Sequence, residues 1–266
     1  MDIGNDRAMR LGTKTEQLYK WYDENAPKFK DAVTVEQPFI KLTPEEQYRL
    51  NRFKLWFLED GNAVFLQGKR ILEFGCGHGR LAIEVRGYES YLGVDVCAEL
   101  VRIGEERLKR AGLVDRAHLV TSDCLAFEGP EEYFDVVCSL GMFAFVEDVE
   151  ASLRKMCAHL KPGGILFANF YHASPLYDVI RRLRWRLAER RGGIPKQLFG
   201  EAEIRSFFAA VGLADMPILM IEYPPLDTLY AHRGWPWVLK LRNQMARRPW
   251  LNIFATDFVA IANKPR

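Results

Sequence analysis

The chain has 266 residues, 48% of them hydrophobic and 27% charged. That is enough to bury a full core and ordinary for a globular domain, which excludes a disordered chain or a small disulfide-stapled scaffold. The net charge of +2 hides an asymmetry, with +7 over residues 171–266 and −5 over residues 1–170, so any attraction for an anionic partner belongs to the last third.

Taken in chain order, Met1 to Asp6 lack the basic and apolar regions of a secretory signal. No apolar run reaches the roughly 18 residues that a bilayer span needs. Leu18, Tyr19, Trp21 and Tyr22 crowd onto a short predicted helix. Exposed aromatics are unfavourable, so residues 1–40 are expected to pack as a helical cap, on the domain or as a lid over a site. Thr43-Pro44-Glu45-Glu46 is a helix start: Thr43 can cap, Pro44 suits the first helical position, and Glu46 completes a capping pattern. This opens the main domain, 41–266.

From residue 69 strands and helices alternate. Strands are predicted at 70–74, 91–95, 117–121, 134–139 and 165–170, with helices at 80–86, 97–111 and 149–160 between them. Lys161-Pro162-Gly163-Gly164 reads as a sharp turn before the fifth strand. Such alternation implies an α/β fold, a doubly wound and mostly parallel sheet with helices on both faces. Ligands of these sheets bind outside the carboxyl ends of the strands. Residues 175–191 form a helical pattern dense in arginine (Arg181, Arg182, Arg184, Arg186, Arg190, Arg191), and 201–211 form another helix. A sixth strand is expected at 216–222. An insertion at 223–250 carries Trp235, Trp237 and Trp250. A last strand at 252–262 is expected to pair antiparallel with the sixth at the sheet edge, giving seven.

The five cysteines, Cys76, Cys97, Cys124, Cys138 and Cys157, are scattered and make no C-x-x-C pair. That argues against a disulfide framework or a zinc site and fits a reducing cytoplasm.

The chemistry concentrates in Glu73-Phe74-Gly75-Cys76-Gly77-His78-Gly79-Arg80. Three glycines at alternate positions after a strand make a turn where a ligand can approach the main chain. The dinucleotide fingerprint G-x-G-x-x-G does not fit, because the third glycine, Gly79, comes one place early and Arg80 fills the expected position. The set Glu73 to Gly79, Asp95 after strand two, Asp123 after strand three, Phe134-Asp135-Val136-Val137, and Leu160-Lys161-Pro162-Gly163-Gly164 instead resembles the class I (Rossmann-like) S-adenosylmethionine-dependent methyltransferases, of the small-molecule type. The resemblance covers about residues 69–170.

The resemblance implies S-adenosylmethionine as cofactor, with Gly75, Gly77 and Gly79 letting the backbone pass its methionine and ribose parts. Glu73 would hold the loop or approach the methionine ammonium, directly or through water. Arg80 would meet the methionine carboxylate or lie as an ordinary surface arginine. Asp95 would accept from both ribose hydroxyls, Val96 would pack on adenine, and Asp123 would accept from the adenine amino group beside Cys124. Leu140 and Gly141 would line the floor. Methyl transfer to an O, N or C nucleophile would be in-line displacement, driven mainly by positioning.

Relatives often carry a Glu-His pair where this chain has Ala144 and Phe145. A base at that site is therefore absent, and the remaining candidates are His172, just after strand five, and more remotely Tyr171 or His232. Tyr22, Phe145, Tyr171 and Trp235 are candidates for lining the acceptor site, and His78 is expected to tolerate replacement. The partner is a small-molecule acceptor. The basic helix 181–191 reads first as a solvated outer face, and the sharper alternative is a docking face for an anionic or carrier-bound substrate; the lack of interleaved base-stacking residues argues against nucleic acid. A non-catalytic cofactor-binding or assembly protein and an NAD(P)-binding oxidoreductase remain as alternatives.

Overall fold

A computed structural model describes residues 66–85, 87–174, 196–213, 217–222 and 255–266, together with single positions at Lys20, Glu24, Trp237, Lys240, Leu241, Gln244, Met245, Leu251 and Ile253. The expected caps at 1–40 and 223–250 (those single positions apart), the helix start at Thr43 and the basic helix 175–191 lie outside the described residues, as do Tyr22 and Trp235.

Apolar strands feed amphipathic helices throughout. The order is β1 (Arg70–Phe74), α1 (Arg80–Glu84), β2 (Ser90–Asp95), α2 (Ala98–Arg110), β3 (Ala117–Thr121), β4 (Phe134–Ser139), α3 (Val149–His159), β5 (Leu160–Tyr171), α4 (Glu201–Ala210), β6 (Ile218–Glu222) and β7 (Asp257–Asn263), with a 3₁₀ turn at Met142–Ala144. The strands form one seven-stranded sheet in the order β3-β2-β1-β4-β5-β7-β6. The first five are parallel, and β7 runs antiparallel to both neighbours.

Both faces are covered, which is why the central strands are apolar on both sides. On one face Leu72, Phe74, Val137, Leu166 and Phe170 pack with Leu153 and Met156 of α3 and Ile204 and Phe208 of α4. On the other, Ile71, Tyr91, Val136, Cys138 and Phe167 pack with Leu81 of α1 and Val101 and Leu108 of α2. At 25 cal/mol per Å², each fully buried Leu or Phe contributes about 2 kcal/mol. Local signals agree with this packing. Asp148 caps α3, its carboxylate accepting from Ala151 N at 2.8 Å, and α2 places Glu99 in its first turn and Arg107, Lys109 and Arg110 in its last, matching the helix dipole.

The last strand pairs antiparallel with the sixth at the sheet edge, as expected; β7 lies between β5 and β6, and β6 is outermost. One expectation is corrected. The sharp turn at 161–164 is the first part of β5, with a register shift opposite Phe134 and Val136. Lys264, just after β7, explains why. Its backbone exchanges hydrogen bonds with Gly163 and Gly164 (2.9 Å each), and its ammonium donates to the carbonyls of Leu160 (2.8 Å) and Cys157 (3.1 Å). Asp135 joins the same seam. Burial alone would raise its pKa, but bonds from Lys161 and Arg70 hold it below the usual range. Among the described residues no helix is long and apolar enough to cross a membrane.

Candidate functional site

The strand order reverses at β1, which lies between β2 and β4, and a cavity of about 410 Å³ opens at the carboxyl ends of β1 to β5. A crevice at that point is where doubly wound sheets take ligands. A shallower groove of about 550 Å³ on the outer side of α3, lined by Asp148, Glu150, Arg154 and Lys155, has no strand end in it.

The glycine loop forms the neck of the cavity. Gly75 N and Cys76 N donate to the Val94 carbonyl (2.7 and 3.1 Å), so the chain folds back over β2 as it leaves β1. Gly75, Gly77 and Gly79 all have positive φ (75°, 52° and 70°), a region that other residues enter only with strain. At Gly75 space is also decisive, since a Cβ there would sit 2.8 Å from Met142 Cβ. Gly75 and Gly77 line the cavity and Gly79 does not. Gly79 caps α1 and packs towards Leu119, 3.1 Å from where its Cβ would be.

Asp95 ends β2 and ties this loop down, its two carboxylate oxygens accepting from Gly77 N (2.7 Å) and Cys97 N (2.9 Å). Burial raises its pKa, and the bonds from Cys97, Gly77 and Val96 partly offset that. Each carboxylate oxygen has a second lone pair, so two hydroxyl donors can still be accepted. Val96 and Leu100 continue this wall, and Ser122, Asp123 and Cys124 close it after β3. Asp123 accepts from Leu125 N at 2.8 Å. Burial pushes the Cys124 thiol up to about 12, so it is a wall and not a nucleophile.

Glu73 departs from the simplest expectation. It does not line the cavity. It is buried beneath the loop, where the Tyr91 hydroxyl donates to it. Burial raises its pKa to about 8, against the pull of the Tyr91 bond and with the Asp95 charge adding to the rise. Arg80 pairs with Glu84 at 2.8 Å. His78 lines the cavity with its ring against Arg107, whose guanidinium also donates to the His78 carbonyl at 3.1 Å. Desolvation and the Arg107 charge hold His78 well below its ordinary pKa. Its ring and its backbone carbonyl thus both meet Arg107 of α2.

The far end of the cavity is built from Leu140, Gly141, Met142, Phe145, Val146, Tyr171 and Lys196. Gly141 N donates to Asn169 Oδ1 at 2.5 Å, which fixes the chain leaving β4 against β5. The 3₁₀ turn then presents Phe145. Phe145 and Tyr171 are therefore brought together as the sequence reading supposed. His172 is not part of the lining. It is 8% exposed, its Nδ1 lies 3.1 Å from the Ala255 carbonyl, and its ring packs edge-on against Phe258. Strand alternation turns it away from Tyr171.

Sequence reasoning missed Met142, Val146 and Lys196. Gly192-Gly193-Ile194-Pro195 marked only a helix break, with no motif to bring the next residue to the cavity. The signal is in the backbone: Gln197 N donates to the Ala144 carbonyl at 2.9 Å, and Phe199 N donates to the Tyr171 carbonyl at 2.9 Å.

Comparison with known proteins places this geometry. The model of a family described as a methyltransferase domain matches residues 45–217. The ubiquinone biosynthesis O-methyltransferases of Stutzerimonas stutzeri (strain A1501) and Pseudomonas fluorescens (strain SBW25) are 28% and 29% identical over 173 residues, 63% of this chain and 74% of theirs. Among solved structures, a magnesium protoporphyrin IX methyltransferase from Synechocystis PCC 6803 with bound SAH aligns with a TM-score of 0.62 at 14% identity, over 94% of this chain and 99% of that one. A SAM-dependent methyltransferase from Thermotoga maritima, a possible histamine N-methyltransferase, aligns with a TM-score of 0.61 at 14% identity, over 92% and 99%. At such identity these two structures speak to the fold.

Proposed function

The chain belongs to the S-adenosylmethionine-dependent methyltransferase family, and from that premise we propose that it methylates an oxygen of a small molecule held between Phe145 and Tyr171. It is an enzyme that takes its methyl group from S-adenosylmethionine and gives it to a small-molecule acceptor. The choice of oxygen draws on the similar ubiquinone biosynthesis O-methyltransferases.

One observation carries the assignment of residues: the lining changes character along the strand order. At the β3, β2 and β1 end stand Asp123, Asp95 and the glycine turn, and at the β4 and β5 end stand Met142, Phe145 and Tyr171. Strands lie about 4.8 Å apart, so this edge has the length for a nucleoside followed by an amino acid and an acceptor. Asp95 accepts the ribose hydroxyls, Asp123 the adenine amino group, and Val96, Cys124 and Leu140 pack on the flat base and the floor. Gly75 and Gly77 give the methionine part access to main chain. The donor, once bound, supplies an electrophilic methyl on a sulfonium. Glu73 holds the loop from beneath through Tyr91.

At the acceptor end the ionisable side chains among the described lining residues are Tyr171 and Lys196, with no carboxylate or histidine. The residues there align the acceptor and exclude water, and an acid–base role for His172 is not part of this proposal. We keep residues 1–40 and 223–250 as a cap over a methyltransferase domain of 41–266, with a docking face for an anionic partner on 181–191. Free cysteines, four of five buried, support a cytoplasmic location.

The test is a turnover screen: methyl-labelled S-adenosylmethionine incubated with a fractionated pool of small molecules. Label should enter a low-molecular-weight fraction as an acid-stable O-methyl product with wild type. It should fall with Phe145→Ala while S-adenosylhomocysteine affinity holds. Label in protein or nucleic acid alone contradicts the proposal.

A further inference from the structure

Lys196 puts a positive charge at the acceptor end of the cavity. Its ammonium lies 3.5 Å from the Tyr171 hydroxyl oxygen, 5.0 Å from the centroid of the Tyr171 ring and 5.7 Å from that of Phe145. Among the described residues no carboxylate pairs with it. Two aromatic faces steady an ammonium by their quadrupoles without neutralising it.

The position is held from both sides. Next to Lys196, Gln197 donates through its backbone to the Ala144 carbonyl at 2.9 Å and through its side-chain amide to the Val146 carbonyl. Phe199 N donates to the Tyr171 carbonyl at 2.9 Å, and Ala173 N to the Phe199 carbonyl at 2.8 Å. Residues 197–199 are thereby stitched to the loop after β4 and to the end of β5, the two walls that carry Phe145 and Tyr171. The cavity's carboxylates, Asp95 and Asp123, stand at the opposite end, beyond β1.

A half-buried lysine wants an anion, and among the described residues no side chain at this end provides one. A protonated amine would be repelled by it. An ionised oxygen fits, since it can accept from the lysine ammonium and from the tyrosine hydroxyl together, both charge-assisted bonds. We propose that Lys196 and Tyr171 form an oxyanion-binding subsite for the methyl acceptor, so that the enzyme selects small organic anions. This rests on the reading that the β4–β5 end holds the acceptor. It places recognition of negative charge inside the cavity, independently of the basic segment 181–191.

The test uses the S-adenosylhomocysteine complex of the full chain and three matched probe pairs: 4-hydroxybenzoate, 4-hydroxycinnamate and indole-3-acetate, each with its primary amide. Affinities are read by calorimetry for wild type, Lys196→Met, Lys196→Arg and Tyr171→Phe. In wild type at least one acid should bind about tenfold or more tightly than its amide, the scale of a charge-assisted bond. Lys196→Met should erase that preference with the amide affinity unchanged, Lys196→Arg should keep most of it, and Tyr171→Phe should trim it by about threefold. The S-adenosylhomocysteine affinity of each variant, from the same titrations, certifies its fold. Acids that bind no better than their amides, whether all bind or none does, overturn the subsite, as does a preference that survives Lys196→Met. Failure of wild type to bind S-adenosylhomocysteine would instead remove the premise, and the proposal with it.

Discussion

At the β1–β3 end of the cavity the lining is main chain and carboxylate, Gly75, Gly77, Asp95 and Asp123, whereas at the β4–β5 end it is a methionine, two aromatic rings and a lysine. The first end is made of residues that follow directly on strand ends, held by short local bonds such as Gly77 N to Asp95 at 2.7 Å. The second is assembled from Phe145, Tyr171 and Lys196, which meet only because α3 and the chain after β5 bring them back to the same edge. A site for a constant ligand can be built from backbone and fixed acids. A site for a variable one uses side chains that can be exchanged without disturbing the sheet.

The comparison breaks hardest at Gly75, where the ends touch through Met142. Alanine there must adopt φ near +75° and place its Cβ 2.8 Å from Met142 Cβ. Strain of about 1–2 kcal/mol adds to the displaced methionine, so Gly75→Ala should lower cofactor affinity about tenfold or more and lower the melting temperature. Gly68→Ala, at φ +65° in open space, should show the strain alone and leave affinity intact. Asp123→Ala, measured by S-adenosylhomocysteine calorimetry, should weaken binding by about tenfold or more, the loss of one hydrogen bond to a charged group. At the other end, Tyr171→Phe and Phe145→Ala should raise the acceptor KM about three- to tenfold with the cofactor Kd unchanged, as for one lost hydrogen bond and one lost apolar contact. If cofactor affinity moves as much as KM does, the two ends are not separate sites.

The smallest effect concerns the support beneath the loop. Glu73 has its pKa raised from 4.5 to about 8 in the folded state. Between these values the folded chain binds more protons than the unfolded one, so this group's stability contribution is full below pH 4.5 and is lost as pH rises through about 8. Thermal melts of Glu73→Gln should therefore fall less between pH 5 and pH 8.5 than wild type does. Equal slopes would mean that Glu73 is ionised in the folded protein.

The same division governs what could be read from the sequence. Alternation of apolar runs located every described strand, and the spacing of Gly75, Gly77, Asp95 and Asp123 pointed to the proposed nucleoside end, because each stands at the end of its strand or within a few residues after it. Which of β6 and β7 lies outermost was not legible, since an antiparallel last strand can add beside either neighbour, and the ladder from Ile165 opposite Asn263 to Tyr171 opposite Asp257 fixes it. His172 looked functional from its place after β5. The one-residue alternation that sends Tyr171 to the cavity sends His172 to Ala255 and Phe258. Lys196 follows no strand and no motif, and its role exists only in the contacts across Ala144, Val146 and Tyr171.

The central claim is that Asp95 holds the ribose of the methyl donor at the nucleoside end. Calorimetric titration of S-adenosylhomocysteine into wild type and Asp95→Ala tests it most directly. Loss of two hydrogen bonds to a carboxylate, and of its hold on Gly77, predicts a drop of about 100-fold or more. An Asp95→Ala variant that stays folded and binds as tightly as wild type would contradict the account.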